Sequence, residues 1–236
     1  MNRFYSNAVN GFKKVSHVIF DVDGLLIDTE NLYTQAIQNI LDNYGKTFTW
    51  ELKVQTMGLV GKDAAKKMID LFDLPISHEE YYKQLTEQYQ IMFQNCELMP
   101  GAERIVRHFH SSNVPIAVAT SSNEDAFRIK MQNHQELFSL FNHIVCGGTD
   151  PHVKAGKPHP DIFLVCASRF PEKPSPEQCL VFEDSHNGVL AAKSANMQCV
   201  MVPDERLTDE YRKDATVVLS TLHDFKPELF GLPPLN

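Results

Sequence analysis

Asp21 and Asp23 stand two residues apart, directly after the apolar run Val18-Ile19-Phe20 and just before Gly24. In an extended chain, residues i and i+2 project to the same side. The pair would therefore offer two carboxylates together at the end of a buried strand. Gly24 lets the chain turn sharply behind them. Open α/β sheets bind their ligands beyond the carboxyl ends of the strands, and an acidic pair there would face a ligand. An ordinary Asp-Gly turn is the alternative reading of this segment alone.

Three later stretches end in residues of complementary chemistry. Val118-Ala119 runs into Thr120, Ser121 and Ser122, and then Asn123 opens a helical segment. Hydroxyls and backbone N–H groups at a helix start bind phosphate oxygens well, although the same residues also serve as plain N-caps. In Gly156-Lys157-Pro158-His159-Pro160-Asp161 the prolines stiffen the chain, and Pro158 suits the first turn of a helix. Lys157 is then fixed just ahead of a helix, where it could neutralise a phosphoryl oxygen; a solvated loop lysine is the alternative. Lys154 is nearby but lacks the rigid flank. Val181-Phe182 ends in Glu183 and Asp184 ahead of Ser185. Such oxygens suit a hard cation such as Mg²⁺, or they cap a helix. Acid, hydroxyl, lysine and acid, in that order, would converge at one edge of a parallel sheet.

The elements needed to bring them there are visible as apolar patterning. Val15–Phe20, Val114–Ala119, His143–Cys146, Cys179–Phe182 and Gln198–Val202 read as short buried strands, with Ala215–Leu219 as an added edge strand. Between them lie helical stripes such as Ala102/Ile105/Val106/Phe109 and Val189/Ala192/Ala195. Strands alternating with helices predict an α/β fold with a doubly wound, parallel, Rossmann-like sheet. Residues 31–98 break the alternation. Leu32/Ala36/Ile40/Leu41 and Ala65/Met68/Ile69/Phe72 are helical faces, and Ser77 to Glu80 is a capping-box pattern opening a third helix. Met99-Pro100-Gly101 marks the return. Residues 1–30 and 99–236 are thus expected to form the core, and 31–98 an inserted helical cap over the acidic pair, unless these helices merely extend the core.

Composition narrows the function classes. The chain has 236 residues, 43% of them hydrophobic, enough for a substantial core without staples. A net charge of −8 argues against a nucleic-acid partner. There is no apolar run of the roughly 18 residues that a membrane helix needs. The five cysteines show no paired or zinc-like spacing and read as buried thiols of a reducing, cytoplasmic protein. Met1 to Lys14 carries Arg3, Lys13 and Lys14 without an acid, as a short lead-in or a transit segment would. No heptads appear, so a monomer is expected.

The four motifs, DVDG, ATSS, GKPHPDIF and VFEDSHNGV, resemble in order and wording the haloacid dehalogenase superfamily of phosphohydrolases. The resemblance covers nearly the whole chain, and the helical insert resembles that superfamily's four-helix cap. It implies that Asp21 is the nucleophile forming an aspartyl-phosphate, and that Asp23 is the general acid and then the base. It implies that Thr120, Ser121 and Lys157 hold the phosphoryl group. It also implies that Asp21, Glu183, Asp184 and the main-chain carbonyl of Asp23 bind Mg²⁺. For Asp23 to alternate between acid and base, its pKa is expected to be raised by the cap and the neighbouring carboxylates.

Three phrases outside the motifs, Phe20 to Glu30, Leu137 to Val145 and Phe225 to Pro233, look like the group of that superfamily acting on pseudouridine 5′-phosphate. The implied partner is a small phosphorylated metabolite, a modified nucleoside monophosphate. Gly58-Leu59-Val60-Gly61-Lys62 would be the substrate-facing loop of the cap, with Lys62 at a helix start. The superfamily's sugar-phosphate mutases share the motifs but typically carry a His where this chain has Tyr33. A non-catalytic phosphometabolite binder would be expected to lack one of the acids or the lysine, and none is lacking. His186 is a candidate substrate contact, and Trp50 reads as cap core rather than as a base-stacking platform.

Overall fold

A computed structural model describes residues 12–56 and 61–235, with Val54 and 61–63 described by backbone alone. Along the chain run β1 (His17–Phe20), α1 (Glu30–Asp42), α2 (Trp50–Thr56), α3 (Gly61–Phe72), α4 (His78–Met92) and α5 (Ala102–Ser111). They are followed by β2 (Ile116–Thr120), α6 (Glu124–Lys130), α7 (Gln135–Phe138), β3 (His143–Cys146) and α8 (Asp161–Ser168). The chain continues through β4 (Cys179–Glu183), α9 (His186–Ser194), β5 (Gln198–Met201), α10 (Asp209–Arg212) and β6 (Val217–Val218).

The described strands form one sheet in the order β3-β2-β1-β4-β5-β6, parallel throughout. From β1 the chain winds outward to β3 and then crosses back to β4 on the other side, so the topological switch lies between β1 and β4. Both faces of the sheet are covered, which is why β1 is buried at every position and apolar from Val18 to Phe20 rather than alternating. Val18 and Phe20 pack with Ile105 and Phe109 of α5 and with Phe225 and Phe230 of the tail. Ile19 faces the other layer, with Ile162 and Phe163 of α8 and Val189 and Ala192 of α9. The ring of Phe20 stacks on that of Phe182 at 4.8 Å. Truncating such a buried ring costs about 3–5 kcal/mol, and here it would also unseat Asp21 and Glu183, the next residues along each strand.

Four helices, α1 to α4, occupy the chain between β1 and α5 and carry an apolar core of their own, including Ala36, Ile40, Leu41, Met68, Phe72 and Tyr81. The expected cap of α4 is present: the Ser77 hydroxyl accepts from the Glu80 N–H at 3.1 Å. Helix α2 has no counterpart in the apolar patterning. The module leaves and rejoins the sheet through a short antiparallel pairing. Asp28 N–H donates to Glu97 O and Met99 N–H to Leu26 O, both at 2.9 Å, around an Ile27–Leu98 bridge. Tyr33 of α1 and Tyr89 of α4 press against Phe93, tying the module to the main core (ring centroids 4.7–5.0 Å).

Several boundaries differ from the sequence reading. β2 starts at Ile116 and extends through Thr120, and β4 extends through Glu183, so both carry polar residues inside the ladder. The edge strand β6 is confined to Val217–Val218. Helix α8 begins at Asp161 with Pro160 as its N-cap, so Pro158 does not open it. All five cysteines are free and buried. Among the described residues, no helix is long and apolar enough to cross a membrane.

Candidate active site

The ends of β1, β2 and β4 deliver the site. One further ladder bond, Asp21 N–H to Phe182 O at 3.0 Å, holds Asp21 beside the end of β4. Beyond it the Val22 carbonyl accepts from the N–H groups of Leu25, Leu26 and Ile27, and Gly24 N–H donates to Ile27 O. This tight loop buries Leu25, Leu26 and Ile27 and leaves Asp21 and Asp23 facing the sheet edge.

Lys157 lies at the centre. Its ammonium donates to Asp21 Oδ1 and Glu183 Oε1, each at 2.5 Å, and to the Ala119 carbonyl at 3.3 Å. Burial alone would lower the lysine's pKa, but the two carboxylates outweigh it and raise it. The second oxygen of Glu183 accepts from the backbone N–H groups of Asp184 and Ser185 and from the Ser185 hydroxyl, at 2.9–3.2 Å. Gly188, in the first turn of α9, makes room for that carboxylate, since a Cβ there would overlap it.

The carboxylates of Asp21, Glu183 and Asp184 converge, each offering an oxygen within 4.8 Å of the others. Burial pushes Asp21 up to about 7, with Glu183 and Asp23 adding to the rise and Lys157 opposing it. Asp184 is also raised, first by burial and then by Glu183, Asp21 and Glu30. Asp21 and Glu183 thus share one ammonium, and the third acid, Asp184, lies beside them outside that ion pair. Hard oxygen donors with a deficit of positive charge fit a divalent cation of the Mg²⁺ type.

Asp23 has a different set of partners. Its Oδ1 accepts from Lys130 Nζ at 2.5 Å, Thr29 Oγ1 at 2.9 Å and Tyr33 Oη at 3.4 Å. Its Oδ2 accepts from Ser122 Oγ at 3.0 Å and Thr120 Oγ1 at 3.3 Å. The expected rise in its pKa is overturned. Burial does raise it, but the Lys130 ammonium, with the hydrogen bonds from Lys130, Thr29 and Ser122, holds it below the ordinary carboxylate value. The side chain of Asp23 is therefore held by its own set of donors, separate from the Lys157 cluster.

Thr120 is fully buried, and its hydroxyl also accepts from Ser122 N–H at 3.1 Å. Ser121 is half-buried beside it; the hydroxyl that reaches Asp23 belongs to Ser122. Lys154, the nearby alternative to Lys157, turns its ammonium to the Pro151 carbonyl at 2.5 Å. Gly58, Leu59 and Val60 lie outside the described residues, and Lys62 is described only as backbone near the start of α3. His186 Nδ1 lies 2.8 Å from Tyr211 O and its ring packs edge-on against Tyr211, so it is held by the core. Trp50 is half-exposed and outside the apolar core of the module, contrary to expectation. Its ring lies 4.0 Å beneath the Arg206 guanidinium, on the loop that follows β5.

Lys130 is the residue that sequence reasoning missed. It ends α6 and is 1% exposed. The available signal was its place beside Phe127 and Met131, on the apolar face of that helix, where a lysine needs an acidic partner.

A family model described as haloacid dehalogenase-like hydrolase matches residues 18–202. The chain is 56% identical over 221 residues to a probable pseudouridine-5′-phosphatase from Drosophila melanogaster, an alignment covering 94% of this chain and 96% of that protein. It is 45% identical over 229 residues to (DL)-glycerol-3-phosphatase 2 from Arabidopsis thaliana, covering 96% and 95%. Among solved structures it is similar to a putative β-phosphoglucomutase from Thermotoga maritima, with a TM-score of 0.69, 28% identity, and coverage of 92% of this chain and 97% of that one.

Proposed function

This chain belongs to the haloacid dehalogenase-like hydrolases, and we propose that it cleaves phosphate monoesters through a covalent phosphoryl intermediate on Asp21. It is a phosphoric monoester hydrolase, and the finer reading concerns its mechanism and substrate. The observation that carries the mechanism is the setting of Asp21. It is buried, fixed by the β1–β4 ladder, and held through one oxygen by Lys157.

In the first step an Asp21 oxygen attacks phosphorus, the bond to the leaving oxygen breaks, and Asp23 gives that oxygen a proton. In the second, water attacks phosphorus, Asp23 takes the water's proton, and the bond to Asp21 breaks. Lys157 and the Thr120–Ser121 strand end neutralise and orient the phosphoryl oxygens. Asp21, Glu183, Asp184 and the Asp23 carbonyl would hold Mg²⁺, whose charge keeps these carboxylates ionised and offsets that of the transferring group. In the geometry described, the Lys130 ammonium favours the ionised form of Asp23, the form that accepts the proton of the attacking water. Helices α1 to α4, residues 31–98, act as the cap that excludes bulk water and reads the leaving group.

The substrate we propose is pseudouridine 5′-phosphate, on the likeness to the Drosophila melanogaster protein. A second reading, a small polyol phosphate, draws on the nearly full-length likeness to (DL)-glycerol-3-phosphatase 2. The test is phosphate release with Mg²⁺ from pseudouridine 5′-phosphate, uridine 5′-phosphate, glycerol 3-phosphate and β-glucose 1-phosphate, with Asp21→Asn as control. Preference for pseudouridine 5′-phosphate, lost by about a thousandfold or more in Asp21→Asn, is the expected result. Preference for glycerol 3-phosphate selects the second reading, and isomerisation of β-glucose 1-phosphate without net release would replace hydrolysis by a mutase reaction.

A further inference from the structure

Lys130 has three N–H donors, and three acceptors meet them: Asp23 Oδ1 at 2.5 Å, Tyr33 Oη at 2.7 Å and Ser122 Oγ at 2.8 Å. The acceptors come from the loop after β1, from helix α1 and from the end of β2. The rings of Phe93 and Tyr33 cover the ammonium at 4.8 and 5.1 Å to their centroids. A lysine so enclosed has no freedom to move without breaking contacts on all sides. Tyr33 in turn packs edge-on against the stacked rings of Tyr89 and Phe93, which restrains its hydroxyl.

The result for Asp23 is a carboxylate held through both of its oxygens. Lys130, Thr29 and Tyr33 hold one oxygen, while Ser122 and Thr120 hold the other. We propose that Lys130, with Tyr33, is a positioning pair that fixes the Asp23 carboxylate for the water-activating half of the reaction. In that half-reaction water oxygen bonds to phosphorus, its proton passes to Asp23, and the Asp21–phosphorus bond breaks. Because Tyr33 belongs to the helical module and Lys130 to the sheet layer, the pair completes the base only when the module is seated. The proposal rests on the assignment of Asp21 and Asp23 made above.

The asymmetry between the two half-reactions makes it testable. Lys130→Met keeps the volume and apolar stem but removes the ammonium. With p-nitrophenyl phosphate and Mg²⁺ in rapid mixing, the variant is expected to release a burst of p-nitrophenol, one per enzyme. Steady turnover should then be slower than wild type by about a hundredfold, with KM falling alongside kcat. Its kcat should also become the same for p-nitrophenyl phosphate and glycerol 3-phosphate, since both esters leave the same phosphorylated Asp21. Tyr33→Phe keeps the ring packing and removes one acceptor, and a burst with about a tenfold loss is expected. It decides the matter if Lys130→Met does not fold. Wild-type rates in both variants, or equal slowing of the first turnover and the later ones with no burst, would overturn the proposal. A wild-type chain that releases phosphate while Asp21→Asn retains that activity would instead overturn the underlying assignment, and the positioning role with it.

Discussion

The Asp184 carboxylate occupies the space where a side chain on Gly24 would begin. Gly24 also sits at φ +79°, in the left-handed region. A Cβ at this position would collide with Asp184 Oδ2 and press on Glu30. Two independent reasons thus require glycine in the first motif, and the second of them concerns a residue of the last. Gly24→Ala is expected to lower stability by about 1 kcal/mol through its backbone conformation. It should also weaken Mg²⁺ binding by about tenfold or more, because Asp184 must turn away. Thermal unfolding with and without Mg²⁺ separates the two effects. A variant that loses stability equally in both conditions would show that Asp184 keeps its place.

Lys157 is the sole ammonium shared by Asp21 and Glu183 among the described residues. Its removal leaves two buried carboxylates facing one another. Lys157→Met is expected to lose about 3–5 kcal/mol of stability in metal-free protein and about a hundredfold or more in kcat. Part of the stability should return with Mg²⁺, because a cation replaces the missing charge. Chemical denaturation in EDTA and in Mg²⁺ would measure that difference.

Metal binding should displace protons. Asp21 is raised to about 7 and Asp184 is raised as well. Apparent Mg²⁺ affinity is therefore expected to fall by about tenfold per pH unit below about 7, the slope for one displaced proton. A carboxyl raised above its unfolded value stabilises the folded chain below that unfolded value, and the benefit is lost as pH rises through the folded one. Metal-free protein should then lose stability progressively from about pH 4 to about pH 7 by this route, with little further loss above, and saturating Mg²⁺ should reduce the loss. Calorimetric titration at several pH values reads the first effect and thermal unfolding the second.

Arg206 lies over Trp50 and is itself anchored by Asp204 through two hydrogen bonds of 2.7 and 2.9 Å. This contact fastens α2 to the loop after β5. Such a pair contributes about 0.5–1 kcal/mol, too little to alter global folding but enough to shift the seating of a module. Arg206→Ala is expected to raise hydrogen exchange in Trp50–Thr56 several-fold while leaving exchange in β1 and β4 unchanged. Uniform acceleration across both regions would refute a local role.

What could be read from the sequence was whatever local patterning carries. The strand ends at Asp21, Thr120 and Glu183 were legible because apolar runs and turn residues are local signals, and parallel order follows once helices alternate with strands. Lys130 was not, since its partner Asp23 is 107 residues away and a lysine in a helix otherwise reads as solvated. The direction of the Asp23 shift was missed for the same reason: the neighbouring acids were visible and the buried cation was not. Trp50 looked like core by residue type, whereas the Arg206 guanidinium over its ring comes from the loop after β5, far along the chain.

The outgoing and returning chain segments at Ile27 and Leu98 run side by side, hydrogen-bonded to each other. The chain therefore enters and leaves the α1–α4 unit through a single doubled stalk about one strand spacing wide, roughly 5 Å. Such a unit can be lengthened, shortened or swapped as a cassette at one junction without rerouting the sheet. If the unit acts as the proposed cap, leaving-group choice could then diverge while the sheet edge stays as it is, except at one place. Tyr33 reaches down from the cassette to Lys130, so any replacement must supply a hydroxyl there or do without the hold on Asp23.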